Sequence, residues 1–193
     1  MVCFAILIDV LFTSADKINM SFNAKKTVCM VLNPSVSRKI VTTSFPAFTA
    51  GNDELKFVDR FKYLGNIVTN DLRDDADIER EIKCLFTRCN VLISRFKHCS
   101  WNVKLKLFRA YCLCFYNIAL WYSHNRSSLC RFVSSYNKCV KRFFGYAKYS
   151  SLSDAFLATG LPTGDTILLN CQFRLREELL SSDNKLVKIF RPL

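Results

Sequence analysis

The stretch Phe61-Lys62-Tyr63-Leu64-Gly65 divides this chain into two parts with different hydrophobic patterns. Before it, short apolar runs alternate with polar turn residues, a pattern typical of strands. After it, apolar residues recur at helical spacing in long, basic segments. An aromatic-Leu-Gly step favours a strand that ends where the backbone needs the freedom of glycine. The sequence therefore predicts an α+β fold, in which a small β-containing region leads into a predominantly helical bundle.

Residues 1–68 form the predicted β-containing region. Its apolar segments are short and are separated by Asn, Pro, Ser and Thr, which favour turns. The predicted elements are an amphipathic helix over residues 4–17, a hairpin with strands at 18–22 and 27–32, a loop over 35–53, and strands at 55–57 and 61–63. The hairpin turn is polar and contains Asn23, Lys25 and Lys26. We therefore expect the strands on either side of this turn to pair with each other.

Residues 69–193 form the predicted helical region, with a basic part over 69–148 and a connector over 149–193. Apolar residues recur with helical periodicity from Asp77 onwards. The predicted helices span residues 76–97, 102–122, 128–144, 154–159 and 165–180. The predicted caps are Ser127-Ser128, Ser153 and Asp165 at helix starts and Gly145 at a helix end. Asp74-Asp75 is predicted to lie at the start of the first helix, where the helix dipole favours negative charge.

The chain has a net charge of +12, and its positive charge is concentrated in the central third of the sequence. Residues 76–150 contain fourteen Lys and Arg against three Asp and Glu. Residues 1–75 contain nine against eight, and residues 151–193 contain five against five. This distribution is typical of a surface that binds a polyanion. We therefore expect the helices to contact nucleic acid, although a solvated basic surface without a ligand has the same composition.

Ten cysteines and two histidines limit the redox and metal chemistry of the chain. No C-x-x-C pair occurs, and many cysteines fall inside apolar helical patterns, as small hydrophobic residues do. We therefore expect reduced thiols, with neither a zinc site nor a disulfide framework. The apolar run over residues 1–14 contains Asp9, lacks a basic start and is too short to span a membrane. A nuclear or cytoplasmic protein is expected, not a secreted one, with no membrane partner.

Five short motifs occur in order along the chain. They are Phe22-Asn23-Ala24-Lys25-Lys26-Thr27, Phe61-Lys62-Tyr63-Leu64-Gly65, Leu107-Phe108-Arg109-Ala110-Tyr111, Ala119-Leu120-Trp121 and Ala158-Thr159-Gly160-Leu161-Pro162. Together they resemble the downstream half of a reverse transcriptase from a non-LTR (LINE-like) retrotransposon. The similarity covers nearly the whole chain, and the order and spacing of the motifs carry it.

The resemblance implies an architecture. Residues 1–68 would be the end of a polymerase palm, residues 69–148 a thumb-like region, and residues 149–193 a connector. Lys26 or Lys25, in the turn that is similar to motif D, would be an auxiliary catalytic residue that stabilises charge on the leaving pyrophosphate.

The resemblance also implies a nucleic-acid partner, the template–primer duplex in the form of an RNA–DNA hybrid. A primer-grip-like strand would lie against the primer backbone, formed by Phe61, Tyr63, Leu64 and Gly65. Basic residues of the first two thumb-like helices would grip the duplex through its phosphates. These nucleic-acid-binding residues are Arg80, Lys83, Arg88, Lys104, Lys106 and Arg109.

The sequence departs from the family at the catalytic centre. Members of the family hold two Mg²⁺ ions on paired Asp residues in an aromatic-Ala-Asp-Asp turn, upstream of the region that is matched here. The adjacent Asp pair of this chain, Asp74-Asp75, leads into a helix and not into a strand hairpin. Two-metal phosphoryl transfer needs those carboxylates. We therefore expect no metal or other cofactor in this fragment, and no polymerase activity without the upstream portion of the polymerase.

Other readings of the same residues stay open. The chain could be a non-catalytic nucleic-acid-binding module, or a helical interaction protein whose basic face meets an acidic protein. Salt dependence separates these two, because binding through several phosphates weakens steeply with salt. At the level of residues, Lys25 and Lys26 could form an ordinary charged turn. Trp101 and Trp121 are expected to be core anchors between helices, although either could stack on a base.

Overall fold

The computed structural model describes residues 10–20, 23, 26–32, 47–50, 53–115 and 117–190. These residues form an α+β structure, as predicted, and the chain divides into two compact units, Met1–Arg73 and Asp74–Leu193. All of the described strands lie in the first unit, together with a helical segment over residues 10–16, here called α1. The six other described α-helices lie in the second unit.

Three short strands form the first sheet of the first unit. They are β1 (Val28–Cys29), β2 (Phe48–Ala50) and β3 (Asp53–Phe57), in the order β1-β3-β2. β1 is parallel to β3, with Val28 opposite Lys56, whereas β2 is antiparallel to β3. The central strand is anchored by Leu55, which is buried.

The prediction that residues 18–22 and 27–32 pair in a hairpin is wrong for the residues of these segments that the structure describes. Residues 18 and 19 form a turn, and β1 takes its hydrogen bonds from β3. The predicted polar turn itself is present, because the N–H groups of Lys26 and Thr27 both donate to the carbonyl of Asn23. A parallel pairing between distant segments leaves no local sequence signal, which explains the error.

A two-stranded hairpin occupies the stretch that divides the sequence. β4 (Arg60–Tyr63) pairs antiparallel with β5 (Asn66–Thr69), so Tyr63 lies opposite Asn66. The two turn residues both have positive φ angles, 46° at Leu64 and 91° at Gly65. Positive φ at both central positions is the geometry of a type I′ turn, which matches the twist of antiparallel strands. The predicted strand and its glycine-dependent end are therefore confirmed.

Six helices are described in the second unit. They are α2 (Asp75–Phe96), α3 (Trp101–Cys112), α4 (Arg126–Phe144), α5 (Leu152–Thr159), α6 (Gly164–Ser181) and α7 (Lys185–Phe190). The first five lie close to the predicted positions, except that α3 ends early, and α7 was not predicted. Gly145 ends α4 in the left-handed conformation, at φ 81°, as predicted.

The helix predicted over residues 102–122 ends ten residues earlier in the structure. α3 ends at Cys112, and Ile118–Leu120 form a single 3-10 turn. Phe115, Ile118 and Trp121 are nevertheless all buried. Apolar residues at three-residue intervals thus continue the period of a helix where no α-helix exists, and this continuation misled the prediction.

Three predicted N-caps are displaced by two or three residues. The observed caps are Asn125, Ser151 and Thr163. The hydroxyls of Ser151 and Thr163 each accept a backbone N–H from the residue three positions on. The predicted residues Ser127-Ser128, Ser153 and Asp165 instead lie inside the first turns. Polar and acidic residues are also favoured there, so the two positions look alike in sequence.

The core of the second unit lies between α2 and α4 and is rich in aromatic rings. Phe108 from α3 packs against Tyr136, Phe143 and Phe144 of α4, with ring centroids 5.6–6.2 Å apart. Leu161, Ile167 and Leu168 belong to the same core, so the segment after α4 packs as part of this unit.

The two tryptophans have different environments. Trp121 is a buried core anchor, as expected, at 2% exposure. Trp101 is 41% exposed and packs against Phe144, with ring centroids 5.0 Å apart. Trp101 therefore joins the core only at its edge.

Candidate nucleic-acid interface

A long segment of the helical unit carries no negative side chain. No Asp or Glu occurs between Glu81 and Asp154, and thirteen Lys and Arg residues occur there. The segment covers most of α2 and all of α3 and α4. Its cations therefore have few carboxylate partners within the unit, and the field around these helices is positive.

Two of the last acidic residues before this segment, Asp77 and Glu81, are buried at the start of α2. Asp77 is 4% exposed and accepts hydrogen bonds from Arg80, at 2.7 and 3.2 Å, and from the indole N–H of Trp121, at 3.0 Å. The hydrogen bonds to Asp77 raise the pKa of Arg80. Arg80 also donates to Glu81 at 3.0 Å. Sequence reasoning assigned Arg80 to nucleic acid, but the structure directs its guanidinium to these carboxylates.

Arg88 extends the same buried network. Its guanidinium donates to Glu81 and to the sulfur of Cys114, and lies over the ring of Phe115, 5.7 Å from the centroid. Burial lowers the pKa of Arg88, but the hydrogen bond and attraction from Glu81 outweigh this effect, so the pKa is raised overall. Arg88 thus ties α2 to the segment after α3, and its charge is balanced inside the protein.

The other four predicted contacts of the helices are more accessible. Lys83 is exposed on α2 and Lys106 on α3. Lys104 is half-buried, with its ammonium 6.0 Å from the centroid of the Phe143 ring. Arg109 is exposed and donates to the carbonyl of Gly160 at 3.3 Å. These four residues carry charge that a ligand in solvent can reach.

The primer-grip-like residues lie on the hairpin of the first unit. Phe61 is half-buried, whereas Tyr63 is 59% and Leu64 81% exposed. Gly65 is the second turn residue, so the hairpin presents an apolar tip to solvent. Lys26 is exposed in its turn, and Lys25 lies outside the described residues.

Asp74 and Asp75 form hydrogen bonds with the segment that follows the 3-10 turn. One oxygen of Asp74 accepts the N–H groups of Tyr122 and Ser123, at 2.8 and 2.7 Å. Asp75 accepts the backbone and side-chain N–H groups of Asn125, at 2.9 and 3.3 Å. The pair was predicted to begin a helix and does so, with Asp74 as the N-cap. Three of the four carboxylate oxygens of the pair therefore accept N–H groups of this segment.

A groove of about 550 Å³ lies between α2 and α4. Sequence reasoning named one of its cations, Lys83, and missed two others, Arg131 and Lys138. These two are seven residues apart on α4, a spacing that places them on one face two turns apart. Their heptad spacing is the sequence signal that could have identified them as a pair.

The motifs in the last third of the chain have structural roles. Thr159 and Leu161 are buried, and the hydroxyl of Tyr136 donates to the carbonyl of Pro162 at 2.9 Å. Gly160 ends α5 in the left-handed conformation. The Ala-Thr-Gly-Leu-Pro sequence therefore docks the turn between α5 and α6 on α4.

Within the described ranges, no group of three or more His, Cys, Asp or Glu residues is arranged to hold a metal ion. No helix among the described residues is both long and apolar enough to cross a membrane. No protein-family model, curated protein or solved structure matches the chain.

Proposed function

We propose that this chain is the end of the palm, the thumb and the connector of a non-LTR reverse transcriptase, and that it holds an RNA–DNA template–primer through its phosphates. The observation that carries the proposal is the acid-free segment between Glu81 and Asp154, with its thirteen cations on one helical unit. Phosphate contacts supply most of the sequence-independent affinity for nucleic acid. A surface of this kind binds a duplex without reading its sequence.

The order of elements supports the same proposal. A hairpin with an exposed aromatic and aliphatic tip, at Tyr63 and Leu64, precedes the basic helical unit directly in the chain. The resemblance to reverse transcriptases implies that order, with a primer-grip hairpin before the thumb. Residues 1–68 would then be the end of the palm, and Lys26 an auxiliary cation near the leaving group.

The chain on its own is proposed to bind without polymerising. The two catalytic Mg²⁺ ions of the family need carboxylates that are free to coordinate them. Asp74 and Asp75 are used instead by the N–H groups of Tyr122, Ser123 and Asn125. Its own residues supply phosphate contacts and no metal-assisted step.

Competition between ligands tests the proposal. The full chain is bound to a labelled RNA–DNA hybrid and displaced with B-form DNA of the same sequence, or with polyglutamate. We expect the hybrid to bind more tightly than B-form DNA, because a thumb is shaped for the A-like helix of a hybrid. Equal affinity for hybrid and DNA would favour a general nucleic-acid-binding module. Displacement by polyglutamate at equal charge concentration would favour an acidic protein partner.

A further inference from the structure

The groove between α2 and α4 combines cations with an apolar floor. Its volume is about 550 Å³, within the range typical of ligand sites. Ile82 and Phe86 of α2 form apolar surface in it, and α4 contributes two hydroxyl groups. The lining residues are Glu79, Ile82, Lys83, Phe86, Cys130, Arg131, Ser134, Ser135 and Lys138.

The groove carries positive charge that a ligand in solvent can reach. Among the described residues, the ammonium groups of Lys83 and Lys138 have no carboxylate partner, and both side chains are exposed. Arg131 pairs with Glu79 at 2.7 Å, but the two side chains are 64% and 36% exposed. An exposed pair of this kind contributes about 1 kcal/mol or less, so Arg131 can exchange its carboxylate for a phosphate.

The spacing of the two α4 cations suits a ligand with a repeating charge, such as a nucleic-acid strand. Seven residues separate Arg131 from Lys138, an advance of about 10 Å along the helix axis. One strand of B-form DNA has a phosphate about every 3.4 Å along the axis, and an A-like hybrid has them closer together, so this advance spans about three or more phosphates. Lys83 lines the same groove from α2. Cations on two helices can thus meet phosphates at several positions along one strand.

The polar groups of the lining are of the kinds that contact phosphates. Here the polar groups are three cations, two serine hydroxyls, a thiol and Glu79. Cations and hydroxyls are the groups that contact phosphate oxygens, and these contacts carry no sequence information.

We propose that the α2–α4 groove seats the phosphodiester backbone of a nucleic acid, with Lys83, Arg131 and Lys138 on its phosphates and Ser134 donating a hydroxyl hydrogen bond. The proposal rests on the proposed function and names the place where the helical unit meets its ligand. The occupant is a nucleic-acid strand and not a free nucleotide.

The first test removes two cations of the groove. The Lys83→Gln/Lys138→Gln variant of the full chain is titrated with an RNA–DNA hybrid over a series of salt concentrations. We expect affinity at low salt to fall about tenfold or more, and the slope of log K against log salt to decrease by about two, since each lost phosphate contact removes about 0.9. The matched control, Lys185→Gln/Lys188→Gln, removes the same charge from α7 and should change affinity less than about threefold.

A second variant moves the affinity in the opposite direction. Glu79 is the single acidic residue in the groove lining, and it occupies Arg131. Glu79→Gln frees this guanidinium without changing the size of the side chain. We expect this variant to bind the hybrid several-fold more tightly than wild type. Weaker binding would contradict the role given to Arg131.

The third test uses Cys130 as a reporter, because its thiol is exposed and lines the groove. Saturating hybrid should slow the alkylation of Cys130, measured by mass spectrometry, at least several-fold. Cys99, in the turn between α2 and α3, is the control that the hybrid should not protect. Equal protection by inorganic phosphate or a mononucleotide would overturn the proposal in favour of a small-anion site.

The outcomes separate this proposal from the function on which it rests. If wild type binds the hybrid with a steep salt slope, but the groove variant matches its α7 control and Cys130 stays reactive, the groove is wrong and the function stands. If wild type does not bind the hybrid even at low salt, both fail.

Discussion

Asp77 is the residue on which the polar interior of the helical unit depends. It is buried and holds both the guanidinium of Arg80 and the indole N–H of Trp121. Trp121 in turn accepts a hydrogen bond at its carbonyl from Gln172, at 3.1 Å. One carboxylate thus links the start of α2, the end of the 3-10 turn and α6.

Removing this carboxylate should destabilise the unit strongly. Asp77→Ala leaves Arg80 and the Trp121 N–H without their buried acceptor, and we expect a loss of about 3 kcal/mol in the free energy of unfolding. Urea unfolding followed by far-ultraviolet circular dichroism measures this loss. Glu79→Gln is the matched control, because its pair with Arg131 is exposed and should contribute under about 1 kcal/mol. Equal losses in the two variants would contradict the role of Asp77.

Burial raises the pKa of the Cys112 thiol from 9.0 to about 12. The thiol therefore ionises in the unfolded chain well before it ionises in the folded one. Its contribution to stability is complete below about pH 9 and is lost as the pH rises towards 12. We expect this group to lower the free energy of unfolding by about 1.4 kcal/mol for each pH unit between these values.

Cys112→Ala tests the pH dependence directly. The variant should be less stable than wild type at neutral pH, because it leaves a small cavity, but its stability should fall less steeply above pH 9. Urea unfolding at a series of pH values compares the two slopes. Identical slopes for wild type and variant would show that Cys112 does not titrate as its burial requires.

At the scale of elements, the two residues of the β4–β5 turn, Leu64 and Gly65, differ in how well they tolerate a positive φ angle. Leu64 adopts a positive φ of 46°, which costs a side chain with a Cβ about 1 kcal/mol, and Leu64 is 81% exposed. Leu64→Asn should therefore stabilise the hairpin by up to about 1 kcal/mol, since asparagine tolerates this conformation. Gly65→Ala should destabilise it by about the same amount, because φ is 91° there.

Hydrogen exchange of the backbone N–H groups in β4 and β5 measures both changes in the full chain. Protection should rise in Leu64→Asn and fall in Gly65→Ala. Lys62→Asn, at an exposed position inside β4, is the control and should not increase protection. A decrease in protection in Leu64→Asn would show that the exposed leucine packs on a surface that the turn geometry does not reveal.

The elements also show what local sequence patterns can and cannot predict. The apolar period placed α2 and α4 correctly, and the aromatic-Leu-Gly step placed the strand β4 and its glycine-dependent end. The period failed after Cys112, because Phe115, Ile118 and Trp121 keep a helical interval on a chain that is not α-helical. It could not find the parallel pairing of β1 with β3, which depends on contacts between distant segments.

The candidate site was predicted only in part. Charge alone identified the helices that carry the basic surface. Charge alone could not separate the cations that serve the interior from those that face solvent. Arg88 reaches Glu81 seven residues away, a pairing that appears only once the helix is packed against Phe115. Arg131 and Lys138 were missed because each is unremarkable until α4 is placed beside α2.

At the scale of the whole molecule, charge is separated between the two units. The acid-free segment belongs to the helical unit, whereas the first unit, residues 1–73, contains nine Lys and Arg against six Asp and Glu. The helical unit should therefore contribute most of the affinity for a polyanion. The hairpin of the first unit has an exposed apolar tip at Tyr63 and Leu64.

The most direct test of phosphate binding by the helical unit is a titration of the full chain with a labelled RNA–DNA primer–template over a salt series, with nucleotide and Mg²⁺ present. We expect tight binding at low salt, a steep linear fall of log K with log salt that corresponds to several phosphates, and no extension of the primer. Extension would contradict the assignment of Asp74 and Asp75 to structure. No binding at low salt would contradict the proposed function as a whole.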